Sequence, residues 1–286
     1  MATQTTYSDA DLAQLARTLA PQQGPKQSLV MRVLTSNFVL TGATIVALGG
    51  LWELLSAIDP SFWPEIVLSK PTEIVPAFFQ AITTGFVWEN FWVTFQEAGI
   101  GFVIGASGGF ILGTLVALSP IFRKAVYPVV VLFQSTPRVA LAPIFIAWFG
   151  FGISSKIGLA VTICFFPVLI NTITGLTIVD ENSLVLMRSL RANRYQVFKE
   201  LRLPSAMPAI FAGLKTALTF AVIGAIVGEL TAANEGAGHL IETASFQFRM
   251  DDVFAYLFML AIFGLTLFVT ASYLERKLIF WHSQGD

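Results

Sequence analysis

Six long apolar runs constrain this chain more than any other feature: Phe38–Ile58, Thr94–Leu118, Tyr127–Phe149, Ile157–Val179, Pro208–Leu230 and Val253–Leu274. Each matches the roughly 20 residues that a helix needs to cross about 30 Å of hydrocarbon. The fourth and sixth carry no charged side chain. Unbroken apolar runs favour helices over a membrane barrel, whose strands alternate in short segments. The expected fold is an all-α, polytopic membrane protein with six transmembrane helices.

Only 12% of the 286 residues are charged, about half the usual share for a soluble domain. A formal net charge of −1 argues against a nucleic-acid partner, which would need concentrated basic charge. Residues 1–36 are polar and lack the apolar core of a cleavable signal peptide, so the first apolar run is expected to direct insertion. Lys and Arg are retained on cytoplasmic loops. With the N-terminus inside, twelve of them fall in inside segments and Lys70, Lys156 and Arg249 fall outside, while Arg138 and Lys215 lie within spans. Both termini are therefore expected in the cytoplasm.

Three regions follow: a 1–36 tail, a 37–282 permease-like membrane domain and a 283–286 C-terminal tail. In the first tail, Leu12, Leu15, Ala16 and Leu19 follow Asp9 and Asp11 at amphipathic helical spacing. The outside connection 59–93 holds four prolines and three tryptophans, and from Pro71 it reads as a short interfacial helix. The informative segment is the 180–207 loop. Leu186, Leu190, Val197, Phe198, Leu201 and Leu203 recur at helical spacing among five basic residues. Two short helices that present apolar and basic groups to the cytoplasm suit a docking surface; an ordinary amphipathic interfacial loop is the alternative. Pro204 and Pro208 close it and start the fifth span.

The stretch MRSLRANRYQVFKELRLPSAMPAIFAGLK (Met187–Lys215) resembles the EAA loop of binding-protein-dependent, MetI-like permeases of ATP-binding-cassette (ABC) importers. LSKPTEIV, STPRVALAPIFIAWFGFGISSKI, FFPVLINTITGL, GELTAANEGAGHLI and LERKLIFWH are similar to further family blocks in the same order. The resemblance runs from about Trp52 to His282 and is nearest the nitrate/sulfonate/taurine/thiamine-precursor branch. It implies a type I importer fold in the inner (plasma) membrane, with no catalysis by this chain. It also implies a second copy of the chain, two ABC ATPase subunits carrying ATP and Mg, and an extracytoplasmic solute-binding protein, for a small anionic or polar organic solute.

The resemblance places ATPase coupling on Arg188, Ser189, Leu190, Arg191, Ala192, Asn193, Arg194 and Phe198. This chain departs from the pattern twice. The family's Glu-Ala-Ala opening falls on Val185, Leu186 and Met187, and its glycine falls on Arg191, so Asn193 is expected to make the left-handed turn instead.

Arg138, between Pro137 and Pro143, is a charge within a span and is expected to face protein or water. It suits either a translocation cavity or a structural ion pair with Glu53 or Glu229. With Pro137, Asn171 and Glu229 it forms the candidate pathway set. Gly101, Gly105, Gly109 and Gly113 form a ladder that lets helices approach closely. Lys215 is expected to snorkel to the interface, Cys164 to be inert packing, and Glu97 to have no assigned role. His239 and His282 lack a second metal ligand at suitable spacing, and no Gly-rich Walker phosphate loop occurs, so energy must come from a separate ATPase. A secondary transporter would show repeats and paired embedded acids; an intramembrane enzyme would need clustered catalytic groups. Neither pattern is found.

Overall fold

The computed structural model describes residues 37–58, 69–279 and 281. The 1–36 tail, with its amphipathic pattern, and the 283–286 tail lie outside the described residues. The chain divides into two compact units, Met1–Leu55 and Ser56–Asp286. The first is represented by most of α1 (Asn37–Ile58), an apolar helix whose Val39–Ser56 segment is long enough to span a bilayer.

In the second unit every described element is helical. Helix α2 (Pro71–Thr83) starts with Pro71 in its first turn, and the Glu73 carboxylate reaches back to the Lys70 amide at 3.4 Å. Helix α3 (Gly85–Leu118) has 34 residues. At 1.5 Å per residue it is about 51 Å long, well beyond the hydrocarbon thickness. It therefore starts nine residues before the expected span and takes Trp88 and Trp92 into its first turns. Then follow α4 (Pro120–Gln134), a 3-10 turn (Arg138–Leu141), α5 (Ala142–Phe149), α6 (Ile153–Thr177), α7 (Glu181–Ser189) and α8 (Arg194–Gln196). A π-helical segment, Val197–Arg202, leads into α9 (Leu203–Ala232), and α10 (Ala237–Phe246) and α11 (Met250–Leu278) complete the unit.

The expected third span, Tyr127–Phe149, is not one helix. The apolar stretch is bent by 89° between Pro120–Gln134 and Arg138–Phe149. Pro137 explains the break: its ring disfavours helical geometry at Thr136, and Pro137 itself is extended, with ψ 96°. Five described helices are long and apolar enough to cross a membrane, and the bent pair makes a sixth if counted as one span.

Helices α3, α6 and α9 form the centre of the unit. The glycine ladder of α3 runs along α6. A Cβ on Gly101 would lie 2.5 Å from Ala160 Cβ, one on Gly109 2.6 Å from the Phe165 carbonyl oxygen, and one on Gly113 2.8 Å from Thr172 Cβ. Gly105 faces Cys164, which is fully buried and donates to the Gly101 carbonyl at 3.4 Å. Small residues continue the seam onto α9 through Ala217, Ala221 and Ala225. Lipid tails are as apolar as leucine, so close packing of small side chains replaces the hydrophobic drive between such helices.

Candidate functional site: a basic surface loop and an embedded polar cluster

The 180–207 loop is built from local hydrogen bonds. Asp180 caps α7 by accepting from the Ser183 amide and hydroxyl, both at 2.8 Å. These bonds favour the carboxylate and hold Asp180 below the ordinary aspartate range. Helix α7 ends in a Schellman motif: the Ala192 amide donates to the Met187 carbonyl at 3.0 Å and the Arg191 amide to that of Arg188 at 2.9 Å. Such a motif needs a left-handed residue, and Arg191 takes it, with φ 55°. The expectation that Asn193 would turn is thus corrected. Asn193 is extended, with φ −75°, and N-caps α8 in a capping box: its Oδ1 accepts from the Gln196 amide at 2.9 Å, and its amide donates to Gln196 Oε1 at 2.8 Å. The left-handed turn stays where the resembled family has glycine; the bonds to Met187 and Arg188 over-determine it.

This geometry exposes Arg188, Ser189, Leu190, Arg191, Asn193 and Arg194 together, with Ala192 half-buried. Leu190 and Tyr195 are each 69% exposed, and Val185 and Leu186 flank them. Tyr195 and Val185 add to the expected set; Tyr195 could have been read from its place beside Arg194. Phe198 behaves differently. It is half-buried and packs against the Leu176, Ala206 and Ile210 cluster, so it anchors the loop to α6 and α9.

A second constellation is embedded at the opposite end of α6 and α9. Glu229, fully buried, accepts from the Thr94 hydroxyl at 2.6 Å and the Gly238 amide at 2.7 Å. Thr94 Oγ1 accepts from the Ala237 amide, and Asn90 Oδ1 from the Gly236 amide, both at 2.8 Å. Three side chains from α3 and α9 thereby take up three successive amides at the start of α10, donors that a helix cannot satisfy internally. Gly236, at φ 114°, lies directly against the Glu229 carboxylate. Beside this cap, Glu97 is fully buried and pairs with Lys156 at 3.3 Å; Lys156 is itself 6% exposed. Neither burial was anticipated: Glu97 had no assigned role, and Lys156 was placed only by segment, on the outside. Their pairing is what lets two charges stand inside the helix packing.

The candidate pathway residues do not converge. Glu229 belongs to the α10 cap and does not pair with Arg138; Glu53 lies on α1 in the other unit. Arg138, on the turn after Pro137, donates through Nη1 to the Ile163 carbonyl at 3.4 Å and lies 4.6 Å over the Phe166 ring. Pro167, four residues after Ile163, has no amide hydrogen to give that carbonyl. Arg138 supplies the missing donor. It also lines a cleft of about 280 Å³ with Gln134, Thr136, Val139, Phe220 and Ile223. Asn171 is half-buried on α6, donates to the Pro167 carbonyl at 2.8 Å and would meet any side chain placed at Gly213 of α9. Lys215 does not simply snorkel. It pairs with Glu275 at 2.6 Å, which joins α9 to the last turns of α11.

The structure is a bundle of membrane-length helices with a basic loop between two of its central ones. Residues 105–280 match the binding-protein-dependent transport system inner membrane component family. The chain is 34% identical over 240 residues to the riboflavin transport system permease protein RibX of Chloroflexus aurantiacus, covering 84% of this chain and 89% of that protein. It is 37% identical over 191 residues to the formylaminopyrimidine transport permease protein ThiX of Halalkalibacterium halodurans, covering 67% and 76%. In a solved structure of the inward-facing MetNI methionine ABC transporter, one chain superposes with TM-score 0.55 at 20% identity, over 71% of this chain and 97% of that one.

The chain belongs to this family. It is a multi-pass inner-membrane permease subunit of an ABC transport system, a translocation subunit and not an enzyme, and it works with an ATPase and a solute-binding protein.

Proposed function

We propose that two copies of this chain form the translocation pathway of an importer, joined by two ATPase subunits that carry ATP and Mg, with both termini cytoplasmic. A six-span subunit closes half of a pathway, and the excess of Lys and Arg on one side supports this orientation. The 1–36 tail, 37–282 permease domain and 283–286 tail are retained as its regions.

The observation that carries this proposal is the exposed Arg188–Arg194 turn. A Schellman motif and a capping box fix it in one geometry, and it presents Leu190 and Tyr195 among three arginines. A pre-organised apolar and basic knob of this kind fits a cleft on a partner at little ordering cost. Arg138, Gln134 and Thr136 supply a cation, an amide and a hydroxyl to the cleft after the break. That cleft is the proposed solute contact, with Pro137 setting its geometry. The relatives transport riboflavin and formylaminopyrimidine, polar organic solutes, which supports a small polar or anionic organic cargo. Cross-linking Leu190→Cys in assembled transporter is the test. The adduct should join this chain to the ATPase, whereas Ser245→Cys, on α10, should give none. Absence of a Leu190 adduct would refute the assignment.

A further inference from the structure

A cleft of about 220 Å³ lies between α4 and the loop-side end of α6. Arg123, Tyr127, Thr174 and Thr177 line it with polar groups, Ile170 and Ile173 form an apolar floor and Ile178 stands at its exposed edge; the Thr177 hydroxyl already donates to the Ile173 carbonyl at 2.6 Å. Among the described residues, Arg123 and its neighbour Lys124 pair with no carboxylate, and the Tyr127 and Thr174 hydroxyls have no hydrogen-bond partner. Asp180, the acid nearest along the chain, is turned to Ser183 by two bonds. The cleft therefore gathers one cation and two hydroxyl donors that share no internal acceptor. Exposed Ile121 and Phe122 flank Arg123, and Ile178 is 73% exposed, so the apolar surface continues past the polar rim.

We propose that this cleft binds the phosphate of an anionic phospholipid in the leaflet adjoining the 180–207 loop. Arg123 and the two hydroxyls hold the phosphate, Lys124 adds charge, and the isoleucine floor takes the start of an acyl chain. Basic clefts between spans are suited to anionic headgroups. A free anion would gain nothing from the isoleucines, which decides between lipid and dissolved phosphate. The lipid would brace α4 against α6 immediately before α7.

Native mass spectrometry of the full chain, titrated with phosphatidylglycerol or phosphatidylcholine of matched acyl chains, tests the site. Phosphatidylglycerol should be retained in preference, and millimolar inorganic phosphate should not displace it. Arg123→Gln should weaken its binding about fivefold, as expected for one surface cation, and Arg123→Lys should restore part of it. Lys277→Gln, on the last turn of α11 and away from the cleft, should bind normally. If Arg123→Gln fails to fold, Tyr127→Phe combined with Thr174→Val carries the same test. Equal retention of the two lipids, displacement by inorganic phosphate, or unchanged binding in the folded variants would overturn the proposal.

Discussion

Lys156 and Glu97 lie 3.3 Å apart with their side chains 7% and 0% exposed, so each is the other's principal compensation inside the helix packing. Removing one partner of a buried pair typically costs about 3–5 kcal/mol, whereas replacing both by apolar side chains is often near neutral. Lys156→Met should therefore lower the melting temperature of detergent-solubilised protein strongly. Lys156→Met combined with Glu97→Leu should recover most of the loss. A double variant as unstable as Lys156→Met would place the penalty elsewhere.

The α10 cap makes a separate prediction. Thr94→Val removes the donor to Glu229 and the acceptor for Ala237 at once, at a cost of about 2–6 kcal/mol for two buried groups that each lose a partner. Gly236→Ala should be comparably harmful, because a methyl would strike the Glu229 carboxylate in a left-handed backbone. Scanning calorimetry on both variants, with Thr94→Ser as the control that keeps the hydroxyl, measures this directly.

The structural bond of Arg138 to the Ile163 carbonyl and its proposed solute contact can be separated. Pro167→Ala restores an amide hydrogen to the Ile163 carbonyl, so Arg138→Gln should cost stability in the parent but little in the Pro167→Ala background. Solute uptake should fall about ten- to a hundredfold in both backgrounds, since a charge-assisted hydrogen bond is worth about 1.5–3 kcal/mol, and Arg138→Lys should retain part of it. Paired melting and uptake measurements distinguish the structural bond from solute contact.

In the loop, Arg191→Gly should tighten the turn slightly. Relief of left-handed strain, about 1–2 kcal/mol, outweighs the added backbone freedom of glycine, about 0.5–1 kcal/mol. Slower hydrogen exchange at the Ala192 amide reports it. Ala192→Asp or Ser189→Asp puts an unpaired carboxylate at the centre of the proposed docking face and should abolish stimulation of ATP hydrolysis by loaded binding protein while membrane insertion stays normal.

Asp180 gives the loop a pH dependence of known sign. Its folded-state pKa is lowered by the Ser183 bonds, so its contribution is present above the unfolded aspartate value, about 3.9, and is lost as pH falls through the folded value. Exchange at the Ser183 amide should quicken below that range in the parent and be insensitive to pH-linked opening in Asp180→Asn. An identical profile in the two proteins would exclude the cap.

The spans were legible because an apolar run of membrane length has few alternatives. The break at Pro137 was less so. Counting apolar residues carries no information about direction, and the two flanking segments together have the length of one span. Glu97 signalled itself as a charge in an apolar helix, but Lys156 is 59 positions away and reaches it only after α3 and α6 pack along the glycines. Arg191 was misjudged because intrinsic preference favours Asn in left-handed geometry; the hydrogen bonds from Ala192 and Arg191 back into α7 outweigh that preference. The half-burial of Phe198 against Leu176, Ala206 and Ile210 was not legible, because spacing alone does not tell which side of a short helix meets the membrane domain.

The glycine seam holds α3 and α6 at close approach along its length. Atoms of α6 occupy the space that a side chain at Gly101, Gly105, Gly109 or Gly113 would need, so a larger residue at any of the four would force the helices apart. Helix α6 ends at Thr177, just before the 180–207 loop, and near its other end carries Lys156, the partner of Glu97 on α3. One unbroken helix thus connects the basic loop to the embedded Glu97–Lys156 pair.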